Sequence, residues 1–299
     1  MLRVKTHKPV SKQDSGPHTF LRLYRRYSRH DVVQGPSDVL LLTIDNEDAY
    51  RKRYNPPKIV VRCDGLYCIR YRGKDTERLN SRAIHRYRMA HGAIFQSEYC
   101  RQFYAARTDL RDIPTRIILN GTDMRYYDSP RRPGVLCSAG WRAIKRPHLI
   151  PKVARAFPNI GFFILGDAKG IKPTPNMVML GTKPLRECVD LYRDLTTFFH
   201  PGYLEGCSNS IVEAAAAGMT VICSSNGGNP DIVGDYGILY KDAEFDFGWL
   251  SKIPDPDIDS VINCIRRSFI QSRPPRRDDL SVMRMVIEYD DFLQEIVDA

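Results

Sequence analysis

The stretch that decides the fold is Phe198-Phe199-His200-Pro201-Gly202-Tyr203-Leu204-Glu205-Gly206-Cys207-Ser208-Asn209-Ser210-Ile211-Val212-Glu213-Ala214-Ala215-Ala216-Ala217-Gly218. It opens as a short apolar strand, breaks at Pro201-Gly202, passes through a Gly/Ser/Asn loop and continues as an Ala-rich helix that Gly218 can close. Two carboxylates are set into this strand-loop-helix unit, Glu205 on the loop and Glu213 about one turn into the helix. Ser208, Asn209 and Ser210 are N-cap candidates, so free backbone N–H groups and the positive end of the helix dipole fall between the carboxylates. Such a helix start suits a phosphate, and carboxylates accept paired hydrogen bonds from vicinal sugar hydroxyls. The unit is compatible with any phosphate-bearing ligand, and a nucleotide-sugar held at both ends is the hypothesis it raises.

The flanking sequence carries the same alternation. In the second half, strands are expected at residues 135–138, 161–165, 176–180, 197–200 and 220–223, with helices at 148–157, 185–195, 257–269 and 280–297. In the first half, strands are expected at 2–5, 38–44, 58–63, 93–96 and 117–119, with helices at 18–29, 79–91 and 98–106, the last capped by Ser97. Strands alternating with helices imply parallel, doubly wound sheets whose ligands lie at the C-terminal strand edges. The Pro-rich break Ser129 to Gly134 reads as the boundary between two domains.

Several features fall at those edges. Gly140-Trp141-Arg142-Ala143-Ile144-Lys145-Arg146-Pro147 follows the first strand of the second half, and its cations suit a diphosphate leaving group. A basic helix start is the plainer reading, but cations there oppose the helix dipole. Asn226-Gly227-Gly228-Asn229-Pro230 follows another strand, where two glycines let the backbone approach a ligand or simply make a turn. Asp64 ends the strand 58–63, a good place for a site carboxylate and equally an Asp-Gly turn. Gly16 lies in the loop Lys8 to Pro17, between the first strand and the first helix, where an ordinary turn is again the alternative. His200 reads as a core histidine.

Composition narrows the classes. With 299 residues, 42% of them hydrophobic, the chain can build two modest cores. The eight cysteines form no CxxC pair and no Cys/His cluster at zinc spacing, as expected of a reduced, cytoplasmic chain without a structural metal. No segment approaches the roughly 18 uninterrupted apolar residues of a membrane span. Charge is uneven: residues 1–130 hold 25 Lys and Arg against 14 Asp and Glu, net +11, and the remainder 20 against 21, net −1. A solvated basic surface explains this, and so does an anionic partner such as nucleic acid, acidic lipid or a phosphorylated glycan. P-loop, GxSxG and HExxH patterns are absent.

The run from Pro201 to Tyr240 closely resembles the donor-binding half of retaining glycosyltransferases of family 4. The resemblance rests on Glu205, seven residues, Glu213, then Ala215-Ala216-Ala217-Gly218-Met219-Thr220-Val221-Ile222 and Gly227-Gly228-Asn229-Pro230-Asp231-Ile232-Val233. Asn120-Gly121-Thr122-Asp123 is similar to that family's Asn-Gly-x-Asp element. Arg62-Cys63-Asp64-Gly65-Leu66-Tyr67 with Phe95-Gln96-Ser97-Glu98 resembles one branch of it; many members have a His where this strand ends in Asp64.

The resemblance implies an α/β chain of GT-B fold, two Rossmann-like doubly wound domains facing across a cleft. It implies an acceptor-side domain at 1–130, a donor domain at 131–272, and a C-terminal helix at 273–299 crossing back to the first domain. It implies that Glu213 holds the ribose, that Glu205 holds the donor sugar, and that Arg142 and Lys145 stabilise the departing nucleoside diphosphate. Asp64 is counted with Glu205, Arg142 and Lys145 as catalytic. Gly16, Gly140, Thr182, Gly206, Ser208, Asn209 and Ser210 are counted with Glu213 as donor-binding. The reaction is expected to retain anomeric configuration without a metal or other cofactor, with a UDP-sugar favoured over a GDP-sugar. The basic first half motivates an anionic acceptor, for example DNA bearing a modified base, or docking at a membrane surface through the helix 18–29. The rival is a nucleic-acid-binding or regulatory protein that keeps the shell without catalysis. Oligomeric state is not encoded in these motifs.

Overall fold

The computed structural model describes residues 1–6, 16–43, 58–70, 75–168 and 170–299. They form two compact units. The first comprises Met1–Gly121, Phe247–Ser251 and Ser281–Ala299, and the second Thr122–Asp246 and Lys252–Leu280.

In the first unit, β1 (Arg3–Thr6), α1 (Gly16–Tyr27), β2 (Asp31–Val33), β3 (Val39–Leu42), β4 (Lys58–Cys63), α2 (Thr76–Met89), β5 (Gly92–Phe95), α3 (Glu98–Ala105) and β6 (Thr115–Ile117) follow in order. The strands form one parallel sheet in the order β2-β1-β3-β4-β5-β6. β3 and β4 are almost wholly buried, which is why they read as unbroken aliphatic runs. Most of the 8–17 loop, together with Ile44 at the end of the expected 38–44 strand, lies outside the described residues. β2 was not expected, because Asp31-Val32-Val33 is too short to show a pattern.

A C-terminal helix, α9 (Val282–Asp298), belongs to this first unit. Ser281 caps it, accepting from the Arg284 N–H at 3.2 Å. Val282, Met285, Val286, Tyr289, Leu293 and Ile296 recur at helical spacing and enter the core with Phe20, Leu21 and Tyr24 of α1. Asp290 is the polar member of that face. Its carboxylate accepts from Tyr24 Oη at 2.8 Å, Ser28 Oγ at 2.7 Å and the Arg29 N–H at 2.8 Å, so the buried charge is satisfied.

The second unit runs β7 (Arg132–Ser138), a 3-10 turn Ala143–Lys145, α4 (Leu149–Arg155), β8 (Phe162–Leu165), β9 (Met177–Gly181), α5 (Val189–Asp194), β10 (Leu195–His200), α6 (Asn209–Ala216), β11 (Thr220–Ser224), α7 (Asn229–Val233), β12 (Ile238–Tyr240) and α8 (Ile258–Ser268). Its sheet is also parallel, in the order β12-β11-β10-β7-β8-β9. β7 starts the unit and lies beside the fourth strand in sequence, β10. The winding reverses between those two strands, and in open α/β sheets the crevice for a ligand lies at such a reversal.

Particular expectations shift. β7 begins at Arg132, so Pro133 and Gly134 lie inside a strand, and a Cβ on Gly134 would meet Leu195 Cδ2 at 2.7 Å. The helix expected at 185–195 is a 3-10 turn, Leu185–Glu187, followed by the short α5, and Leu195 already belongs to β10. The expected 117–119 strand is β6, ending at Ile117. Asn229–Val233, read as loop, is helical because Pro230 near its start fits a first turn. Among the described residues no helix is long and apolar enough to cross a membrane.

Candidate active site

Two loops meet at the reversal point of the second unit. After β7 the chain runs through Gly140 and Arg142 into the 3-10 turn that ends at Lys145. After β10 it runs through Pro201 to Ser208 and into α6. Lys145 Nζ donates to Glu205 Oε2 and forms an ion pair with it, at side-chain exposures of 9% and 14%. A backbone bond from the Tyr203 N–H to the Ile144 carbonyl, 2.9 Å, stitches the loops alongside. Arg142, three residues before Lys145 in the chain, is exposed.

A third loop closes on the same place. The Gly228 N–H donates to the Glu205 carbonyl at 2.6 Å. Gly227 has φ +82°, and a Cβ there would stand 2.7 Å from the Glu205 carbonyl oxygen and 2.8 Å from its nitrogen. The Gly-Gly pair after β11 is therefore required by close approach to the Glu205 backbone. Gly202 is constrained likewise, since its Cβ would fall 2.4 Å from His200 Cε1.

His200 supports the loop from beneath. It is 1% exposed; Nδ1 accepts the Gly202 N–H at 3.2 Å, which leaves Nε2 to donate to Ser208 Oγ at 3.3 Å. Burial first, and then the Lys145 and Arg146 charges, hold it well below the usual histidine range. Ser208 occupies the N-cap position of α6, but its hydroxyl is engaged with His200 and Ser210 and makes no cap bond. Ser208 is thus the N-cap residue by position, as expected, but without the side-chain cap bond such a residue usually makes.

Glu213 lies four residues beyond Asn209 on α6. Tyr192 Oη donates to Glu213 Oε2 at 3.3 Å. Burial pushes the carboxyl up to about 7; the Tyr192 bond opposes this and the Asp123 carboxylate adds to it. A carboxyl balanced between its two forms near neutrality marks a functional position more often than a solvated one. Tyr192 and Asp123 were not singled out from sequence, because neither adjoins Glu213 in the chain.

The other expected residues separate. Arg146, in the same basic cluster as Lys145, has no exposed surface and pairs with Asp242 at 2.6 Å, so that cation is not available to a ligand. Gly140 has open space around its Cβ position. Thr182 is exposed just after β9, the edge strand two places from β7. Gly16 opens α1 and Asp64 follows β4, both in the first unit. There Asp64 pairs with Arg62 at 2.7 Å. Arg62 Nη2 donates to Asn120 Oδ1 at 3.0 Å, and Gln96 Nε2 to the same oxygen at 3.1 Å. The Arg62 guanidinium lies 4.4 Å from the Phe20 ring centroid. The Arg-x-Asp, Phe-Gln-Ser and Asn-Gly motifs thus join in one buried polar network at the C-terminal ends of β4, β5 and β6.

Comparison with known proteins agrees with this geometry. Residues 142–256 match the model of the family described as glycosyl transferases group 1. The match spans 115 of the 299 residues, less than half of the chain. It contains Arg142, Lys145, Glu205 and Glu213, and begins at the 3-10 turn. A 60-residue stretch is 37% identical to O-antigen chain mannosyltransferase B of Escherichia coli, spanning 20% of this chain and 16% of that relative. Among solved structures, Anabaena HepE in complex with UDP-glucose superposes with a TM-score of 0.68 at 13% identity, covering 99% of this chain and 100% of that one. Sucrose-phosphate synthase from Thermosynechococcus elongatus gives 0.66 at 14% identity, covering 94% and 77%. The chain thus has the GT-B fold, with two sheets that are each parallel and doubly wound.

Proposed function

We propose that the chain is a retaining glycosyltransferase that moves a sugar from a nucleoside-diphosphate sugar to an acceptor hydroxyl. The observation that carries this is the Lys145–Glu205 pair at the reversal point, with Glu213 on the helix that follows. A donor entering that crevice offers its diphosphate to Lys145 and Arg142, a sugar diol to Glu205 and a ribose diol to Glu213. Positive charge at the diphosphate stabilises the leaving group as the glycosidic bond breaks, which is where transition-state charge develops. Two cationic side chains supply that charge from the protein itself, so the reading includes activity without an added metal ion. HepE, whose structure holds UDP-glucose, supports a UDP-sugar as the first donor to test.

The acceptor is read as anionic. The net +11 of residues 1–130 supports this, as do Arg22, Arg25 and Arg26 on the exposed face of α1. Nucleic acid with a hydroxylated base, an acidic lipid and a phosphorylated glycan share that chemistry.

The test is a panel of UDP-glucose, UDP-galactose, UDP-N-acetylglucosamine and GDP-mannose, scored by thermal shift and by release of the nucleoside diphosphate, with and without EDTA. The best donor is then offered to DNA, lipid and glycan acceptors, and the anomeric configuration of the product is read by NMR. One donor that stabilises the protein and turns over in EDTA is the expected result. An inverted product removes the retaining assignment, and absence of any donor binding removes the enzyme.

A further inference from the structure

The strongest unexplained feature is the residue after Lys145. Arg146 has φ +46° and ψ +51°, the left-handed region that favours glycine, yet it carries a long charged side chain that is wholly buried. That side chain reaches three separate segments. Nε donates to the Pro201 carbonyl at 2.7 Å. Nη1 and Nη2 donate to the two Asp242 oxygens at 3.0 and 2.6 Å, Nη1 to the Pro254 carbonyl at 3.0 Å, and Nη2 to Tyr240 Oη at 3.0 Å. The guanidinium also lies 5.2 Å from the Tyr203 ring centroid.

Pro201 and Tyr203 are the residues through which the chain turns from β10 towards Glu205. Leu204, between Tyr203 and Glu205, is another non-glycine residue at positive φ, +54°. Two such backbones on facing loops persist only where the surroundings over-determine them. Arg146 is that determinant: it fixes the loop start through Pro201 and stacks on Tyr203, while its own backbone places Lys145 against Glu205.

We propose that Arg146 is a positioning residue for sugar transfer, holding the Pro201–Glu205 loop so that the Glu205 carboxylate and the Lys145 ammonium take up the geometry the donor needs. This rests on the glycosyltransferase reading above. Glu213 stands on α6 and makes none of the Arg146 contacts, so loss of Arg146 disturbs the Lys145 and Glu205 contacts, at the diphosphate and the sugar, more than the ribose contact.

The experiment uses the full chain with two variants. Arg146→Lys keeps a charge for Asp242 but cannot also reach Pro201, Tyr240 and Pro254. Arg146→Gly combined with Asp242→Leu removes both buried charges and gives the left-handed position the residue it favours. UDP affinity is measured by calorimetry, and kcat and KM by UDP release from UDP-glucose and the other donors of the panel. Folded variants in which kcat falls at least tenfold, and at least tenfold further than UDP affinity does, support the proposal. Wild-type kcat in the folded double variant overturns it, as does a fall in UDP affinity that matches the fall in kcat. If neither variant folds, Arg146 is a stability element only and the proposal is likewise overturned. Wild-type protein that binds neither UDP nor GDP and turns over no donor would instead remove the enzyme reading on which the proposal stands.

Discussion

Lys145 and Glu205, sixty residues apart in the chain, are joined as an ion pair where the loops after β7 and β10 meet. Without donor, each neutralises the other. Under the proposed function, a nucleotide-sugar would exchange that single contact for two, phosphate on the ammonium and hydroxyls on the carboxylate.

Arg142→Ala and Lys145→Ala should therefore separate in stability but not in activity. Arg142 is exposed, so its loss is expected to change stability by no more than about 0.5 kcal/mol. Lys145 leaves a largely buried Glu205 without its partner, and a cost of about 1–3 kcal/mol is expected. Both variants should lower kcat by about a hundredfold or more, the range seen when a charge-stabilising donor is removed. Thermal melts and donor turnover on the same preparations check this, and normal turnover in either variant contradicts the role.

Glu213 gives a pH signature. With its carboxyl pushed up to about 7, it is mostly protonated at pH 6 and mostly ionised at pH 8. Only the ionised form offers all its lone pairs to a ribose diol. Nucleotide-sugar affinity should rise about tenfold between those values, following the ionised fraction. Glu213→Gln should bind weakly at both pH values and show no such rise. A carboxyl whose native pKa lies above its unfolded value loses stability as pH rises from about 4.3 to about 7, so the Gln variant should melt higher than wild type at pH 8 and much the same at pH 4.

Much of this was legible in the sequence because it is local. The strand-loop-helix at 198–218 announces itself by Pro201-Gly202, the Ser/Asn cluster and the Ala run. Gly227-Gly228 shows as a close-approach turn, although what it approaches, the Glu205 backbone, does not. Missing were the relations between distant segments. Nothing near Arg146 in the chain says that its guanidinium goes to Asp242, so three cations in one short stretch looked like a single phosphate site. Nothing near Glu213 names Tyr192 or Asp123. Phe247–Ser251 was left unread between β12 and α8, yet it packs in the first unit, with Phe247 against Tyr99 at 6.0 Å and Phe103 at 5.7 Å, and the Leu250 N–H on the Cys68 carbonyl at 2.8 Å. A short aromatic segment with no periodicity carries no sign of its destination.

The network at the end of β4 is expected to be structural as well as functional. Arg62→Leu would take the cation from the buried Asp64 and one of the two donors from Asn120 Oδ1. Removing one member of a buried pair costs about 3–5 kcal/mol. Denaturant unfolding should show that loss, whereas Asp64→Asn, which keeps an oxygen facing Arg62, should lose less. Equal stability in Arg62→Leu and wild type would show that the pair contributes nothing.

His200 predicts how the second unit responds to acid. In the unfolded chain its imidazole protonates near pH 6.5, while in the folded protein burial and the Lys145 and Arg146 charges keep it neutral well below that. The unfolded state then binds the extra proton, so stability falls as pH drops below about 6.5, by up to about 1.4 kcal/mol per pH unit. His200→Gln cannot titrate. Although it loses packing at every pH, the gap between it and wild type should narrow on going from pH 8 to pH 5. Urea unfolding of both proteins at the two pH values measures that gap. If it stays constant, His200 is already protonated in the fold, and the Nδ1 contact to the Gly202 N–H is not the bond that holds the loop.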